Sequence, residues 1–265
     1  DVKGNATANE AISTTGNIAV GGVANVTEGI SAGGVISFTG DATASGTISA
    51  QGDITFGKNA IINEVTSTNG AISVEGTTSA NGNITSAKSQ TFNGAFTLNK
   101  TVTILAKNNT VLFKDTVNGT YDLAIGNNAN ATNVTFEKSA GSTDVINSLF
   151  VKGNITANDK ITTKGNISIG GTTFASGNIT SEQSQTFNGA FTLQNDITFV
   201  ASKVEFKGKV DSKAGSNYSA TFGNETVKTS AAFHFSVGSS VPLGNITLND
   251  ASFSENASLI QTESS

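Results

Sequence analysis

Few residues in this chain can carry proton, metal or nucleophile chemistry. His234 is the single histidine among 265 residues, and cysteine, methionine and tryptophan are absent. Arginine is absent as well, so every basic side chain is a lysine. A zinc site needs several His or Cys at set spacings, and none exists here. His234 stands in Phe233-His234-Phe235. If both phenylalanines face a core, strand alternation turns His234 outward, where it reads as a surface residue and not as a catalytic base. Carboxylates at Asp53, Glu64, Glu75, Asp115 and Glu137 are scattered. A glycoside-cleaving pair would need two carboxyls held across one bond, and no two recur in register. The Gly-Gly-x-Gly-x-Asp calcium nonapeptide is also missing. The sequence therefore predicts no catalytic residue, no metal, no cofactor and no enzyme activity.

A second pattern concerns modification. Fifteen Asn-x-Ser/Thr tripeptides are present, and Asn25, Asn83, Asn154, Asn166, Asn178 and Asn245 are the candidate glycosylation sites. The tripeptide is an acceptor for N-glycans. The same pattern arises without any glycan if Asn suits a chain corner and Thr the strand after it. Both readings stay open at this point.

The elements that position these residues are legible in a six-residue beat. Gly16-Asn17-Ile18-Ala19-Val20 is followed at 18-residue steps by Gly34–Phe38, Gly52–Phe56 and Gly70–Val74. Within each step lie three apolar i, i+2 pairs, for example Ala24/Val26, Ile30/Ala32 and Ile36/Phe38. The i, i+2 spacing is the period of a strand with both side chains on one face. Three hexads then make one turn of a three-sided coil, and stacked turns bury a common core that no single turn could bury alone. The fold class expected is all-β: a single-stranded parallel β-helix, right-handed in preference to left-handed, with about 18 residues per coil. Between the paired positions lie small outward residues: Ser13, Ser31 and Ser49 on one face, Ser37, Thr55 and Ser73 on another. They suit an exposed parallel sheet. As an ice-binding face they fall short, because each strand offers one hydroxyl and Ala19 and Asn25 interrupt the rows.

The beat holds from residue 1 to about 104, including a pair at Thr66/Thr68. It loosens over 105–153 and returns over 154–199 with Ile155/Ala157, Ile161/Thr163, Ile167/Ile169 and their successors. Beyond that, Val204/Phe206, Phe233/Phe235 and Ile246/Leu248 read as strands, and the polar tail after Leu259 reads as frayed. Gly16, Gly34, Gly52 and Gly70 recur at one corner, where a bend with positive φ would select glycine. Longer corners belong in 105–153 and 207–234. A second, longer repeat overlays the first. Ser89–Leu98 recurs unchanged as Ser184–Leu193, and Gly82–Ser86 as Gly177–Ser181. The chain thus reads as one continuous rod over 1–265 with a duplicated module at 82–176 and 177–265. Tyr121 and Tyr218 fall at equivalent places of that module and read as loop anchors in preference to a ligand platform.

Composition narrows the partners. A net charge of −5 disfavours nucleic acid, which calls for a basic patch. No apolar run approaches a membrane span. The chain does not begin with Met and shows neither signal peptide nor terminal cap helix, so a segment of a longer protein is expected.

The run Gly82-Asn83-Ile84-Thr85-Ser86, with Gln90-Thr91-Phe92-Asn93-Gly94-Ala95-Phe96-Thr97-Leu98, resembles the repeats of large secreted bacterial β-helical adhesins. These are the filamentous-haemagglutinin-like and HMW-type exoproteins and, more loosely, autotransporter passengers. The resemblance covers most of the chain. It implies a right-handed β-helical stalk at the bacterial cell surface or in the extracellular space. It also implies export through an outer-membrane β-barrel partner or domain, and attachment to a receptor or glycan on host cells or other bacteria. Glycan attachment at the Asn sites is a further implication. The secretion-signal domain of such proteins is not recognisable here. The leading function expected is an adhesin stalk. The alternatives are a purely structural surface-layer or fibre component, and a polysaccharide-processing β-helix enzyme.

Overall fold

A computed structural model describes residues 1–249, the strand Phe253–Glu255 and Thr262. The tail after Leu259 and the tripeptide at Asn256 therefore lie outside the described residues, apart from Thr262. The described chain is all-β: short strands, no helix, and every strand pairing parallel. They stack as a β-solenoid of about 12 turns.

Three columns of strands form its faces. The first begins with Ala6–Ala8 and Ala24–Val26, the second with Ile12–Thr14 and Ile30–Ala32, and the third with Ile18–Val20 and Ile36–Phe38. The third face is an 11-stranded sheet. The first and second faces merge into an 18-stranded sheet because Ala42–Ala50 and Ala60–Ser67 run round the corner between them. The first face continues beyond that as a five-stranded sheet starting at Ile161–Thr163. Bridges from Ala140 to Val117 and Ile161 join the two parts.

The register explains why these sequences fold this way. Ile18, Ile36, Ile54 and Ile72 are direct partners up the third face, as are Val20, Phe38, Phe56 and Val74. All are buried, while the residues between them stay at least partly exposed. Slipping one residue would bury Ser37 and Thr55 and expose the aliphatics, so one register wins. Toward the middle the core turns aromatic. Phe92, Phe113 and Phe136 stack with centroids 5.2 Å apart at each step, and Phe96 meets Phe113 edge-on at 5.1 Å. Offset and edge-to-face pairs are the favoured geometries of such rings.

Three expectations need correction. The pair on the second face is Val65/Ser67, not Thr66/Thr68. A register shift after Ala44 makes the Asn63-Glu64 corner one residue shorter than the one it stacks on, which brings the aliphatic Val65 inward. Phe235 is not a core residue: the last strand pair there is Ala231/Phe233, and Phe235 is 54% exposed. The recurrent corner glycines also have no positive φ. Gly34, Gly52 and Gly70 stand where coils stack too closely for a Cβ, whereas a Cβ at Gly16 would meet nothing nearer than Thr14 Oγ1 at 3.9 Å. An added Cβ at Gly34 would strike Asn17 Oδ1, and one at Gly70 would lie against the Asp53 backbone.

Those contacts belong to a ladder along the corners. Asn17 Oδ1 accepts from Val35 N at 3.0 Å, Asp53 Oδ1 from Ala71 N at 2.8 Å, and Asn154 Oδ1 from Thr172 N at 2.8 Å, each across 18 residues. The side chain satisfies an N–H of the next coil that the strands do not reach, and a bare N–H in that place would be costly.

Candidate binding surface

The duplicated module is not a whole number of turns. Ile84–Ser86 lies on the second face, whereas its copy Ile179–Ser181 lies on the first. Gln90–Phe92 lies on the third and its copy Ser184–Phe187 on the second. Phe96–Leu98 lies on the first and its copy Phe191–Leu193 on the third. The second copy is thus set back by one face, and equivalent surface residues point in different directions around the rod.

The copies nevertheless share local geometry in detail. In each, a corner starts at a glycine in the left-handed region, Gly126 (φ 79) and Gly223 (φ 80). Asn127 Oδ1 accepts from Ala129 N and Asn130 N, as Asn224 Oδ1 does from Thr226 N and Val227 N. Each corner then returns a buried threonine to the coil below: Thr132 Oγ1 accepts from Ala106 N at 3.2 Å, and Thr229 Oγ1 from Ala201 N at 3.2 Å. A side chain thereby stands in for the strand that has left the face. Two glutamines repeat as well. Gln90 and Gln185 are fully buried and donate through Nε2 to carbonyls of their own and the next coil.

The candidate glycosylation residues sit on these corners and faces. Asn25, Asn83, Asn154, Asn166, Asn178 and Asn245 are all exposed. Asn83 Oδ1 accepts from Thr103 N, Asn166 Oδ1 from Ser184 N and Asn178 Oδ1 from Thr198 N. Four of the six therefore have a structural task at Oδ1, while no hydrogen bond engages their Nδ2 among the described residues. Asp41, Asp53, Asp196 and Asp211 do the same work without an amide nitrogen.

His234 does point outward, with its side chain 38% exposed, and its Nε2 lies 3.0 Å from Glu205 Oε1. Lys203 and Lys207 approach the same carboxylate at 3.4 and 3.6 Å. Partial burial raises the Glu205 carboxyl, but the His234 hydrogen bond and the two lysine charges outweigh it and hold the group below the ordinary glutamate value. The sequence did not disclose this cluster, because Glu205 and His234 meet only across stacked coils. No cluster of three or more His, Cys, Asp or Glu able to hold a metal occurs among the described residues.

The described surface carries open, shallow depressions. One of ≈ 460 Å³ runs between the second and third faces, lined by Thr14, Ser31, Ser49, Gln51 and Thr68 among others. Another, ≈ 280 Å³, is a notch at the corner between the first and second faces, formed by three successive coils. Thr97 and Asn99 come from the lowest coil, Gly119, Thr120 and Tyr121 from the next, and Asp144 from the third. Tyr121 is 43% exposed. Asp144 and Gly119, which sequence reasoning passed over, are brought to Tyr121 by the Gly119 N–H donating to Asp144 O at 3.0 Å. Among the described residues no helix is long and apolar enough to cross a membrane. No protein-family model, curated protein or solved structure matches the chain.

Proposed function

We propose that this chain is the stalk of an extracellular bacterial adhesin, a stiff rod that presents corner segments to a receptor or glycan on host cells or neighbouring bacteria. The observation that carries the reading is the division of labour around the solenoid. Its faces carry mainly small outward side chains over about 12 turns, with Ile61, Phe150 and Phe174 as large exceptions, while the longer corners project the turns headed by Asn127 and Asn224. Such a rod offers repeated shallow contacts, and linked weak contacts raise avidity without a deep pocket. Export through an outer-membrane β-barrel partner and a right-handed winding belong to the same proposal, on the repeat resemblance of Gly82–Leu98 and Gly177–Leu193. The test is binding of the purified folded chain to host cells and to other bacteria, with circular dichroism confirming β structure. Saturable binding competed by unlabelled chain is expected. A well-folded chain that binds neither surface would overturn the proposal, and ordered lateral assembly in its place would favour a surface-layer component.

A further inference from the structure

We propose that the corner notch around Tyr121 binds one non-anionic pyranose unit. This rests on the adhesive reading and names its ligand class. The notch is rich in hydrogen-bond acceptors. Asp144 supplies a carboxylate with no ion pair among the described residues. Asn99 already donates its Nδ2 to Asn81 Oδ1 at 3.0 Å, which leaves its own Oδ1 to accept. The Thr97 and Thr120 hydroxyls accept or donate as required. A ligand that fits this set must bring donors, as the vicinal hydroxyls of a sugar do, and an acidic sugar would be repelled by Asp144. Tyr121 adds an amphipathic aromatic body against which the C–H face of a pyranose can lie. The notch is small enough, at ≈ 280 Å³, to select one ring and not a chain.

The duplication supplies an internal control. Two backbone hydrogen bonds recur in the second copy, although its corner is longer, running Ser212–Tyr218 in place of Gly119–Tyr121: Ser212 N donates to Val241 O at 3.2 Å as Gly119 N does to Asp144 O, and Gly244 N donates to Tyr218 O at 3.0 Å as Asn147 N does to Tyr121 O. Around these bonds the chemistry has changed. Ser212, which is buried, replaces Gly119, Val241 replaces Asp144, and Tyr218 packs partly buried against the core. Position 119 accepts no side chain in the first copy: Gly119 has φ +129, and a Cβ there would lie 2.7 Å from Leu98 Cβ of the coil below. The first copy thus leaves the notch open at Gly119, whereas the second places there a buried Ser212 whose Oγ accepts from Tyr218 N at 2.9 Å.

Saturation-transfer NMR on the whole chain with methyl glycosides of neutral hexoses and of amino sugars, and with a hexuronate for comparison, tests this. Transfer to at least one neutral or amino sugar and none to the hexuronate is expected. Tyr121→Ala should abolish the transfer, and the near-isosteric Asp144→Asn, which leaves the fold untouched, should weaken the affinity roughly tenfold. Absence of transfer to every neutral and amino sugar overturns the site, and so does transfer that survives both substitutions. Cell binding separates the two claims. If no sugar gives transfer but cells bind the chain saturably, the sugar site fails and the adhesive stalk stands. If sugars bind but cells do not, the site stands and the stalk reading fails.

Discussion

Replacing Phe113 with alanine probes the aromatic spine where it is most tightly built. Phe113 is 1% exposed, lies between Phe92 and Phe136 at 5.2 Å on either side, and meets Phe96 edge-on. Truncating a buried phenylalanine costs about 3–5 kcal/mol through lost burial and the cavity left behind. Losing three ring contacts places this site toward the upper end, about 4–5 kcal/mol. The neighbouring Leu112 sits one residue away with its side chain outward, and Leu112→Ala should cost under about 1 kcal/mol. With a urea slope of roughly 2 kcal/mol per molar, the midpoint should fall about 2 M for Phe113→Ala and under about 0.5 M for Leu112→Ala. Coils contact only their neighbours, so unfolding need not be all-or-none. Amide exchange at Phe92, Phe113 and Phe136 therefore accompanies the melt and localises the loss. Equal destabilisation by the two substitutions, or a larger effect at Leu112, would refute the register.

Other consequences are equally specific. Asn154→Asp should leave stability within about 0.5 kcal/mol, because Asp41 and Asp53 already serve as corner acceptors, whereas Asn154→Ala should cost about 1 kcal/mol by stranding the Thr172 N–H; denaturant melts of the two variants decide it, and a loss shared by both would show that the ladder is not what position 154 supplies. Gly70→Ala should destabilise by about 1–3 kcal/mol because its Cβ meets the Asp53 and Gly52 backbone, while Gly4→Ala, with nothing within 4 Å, should be neutral in the same melts. The folded carboxyl of Glu205 titrates lower than the unfolded one, so the unfolded chain holds that proton more readily. Its contribution is present above about pH 4.3 and is lost as pH falls through the lower folded value. The stability gap between the parent and Glu205→Gln should therefore close on acidification, and a gap that widens would contradict the ion cluster.

Much of this fold was legible because the chain repeats a strict spacing. From Ile18/Val20 to Ile197/Phe199 nearly every i, i+2 pair read from the sequence is a buried pair in the solenoid. The failures have local causes. Thr66/Thr68 was misplaced because hydroxyl and methyl make threonine acceptable on either side of a strand, and a corner one residue shorter shifted the phase. Phe235 looked like a core residue because nothing in the sequence marks where the chain leaves the face after Phe233. The backward step of the second module by one face was hidden because the longer corners after Ile125 contain Ala140, a single-residue bridge that occupies a face without an apolar pair to announce it. For the candidate binding surface, Tyr121 stood out by its repetition at Tyr218. Asp144 did not, since its approach depends on stacking across coils and its counterpart in the second module is Val241.

The parallel register itself is open to a direct chemical measurement, oxidative cross-linking of engineered cysteine pairs. The chain has no cysteine of its own, so each pair is isolated. Thr135 and Thr156 are register partners facing outward on the third face. Neighbouring strands lie about 4.8 Å apart, within the Cα separation of roughly 4.4–6.8 Å that a disulfide accepts. Thr162 is equally outward but on the first face. Mild oxidation of Thr135→Cys/Thr156→Cys should give a near-quantitative internal disulfide by peptide mapping, and Thr135→Cys/Thr162→Cys should give none. Cross-linking of the second pair, or failure of the first, would contradict a three-faced solenoid with these columns.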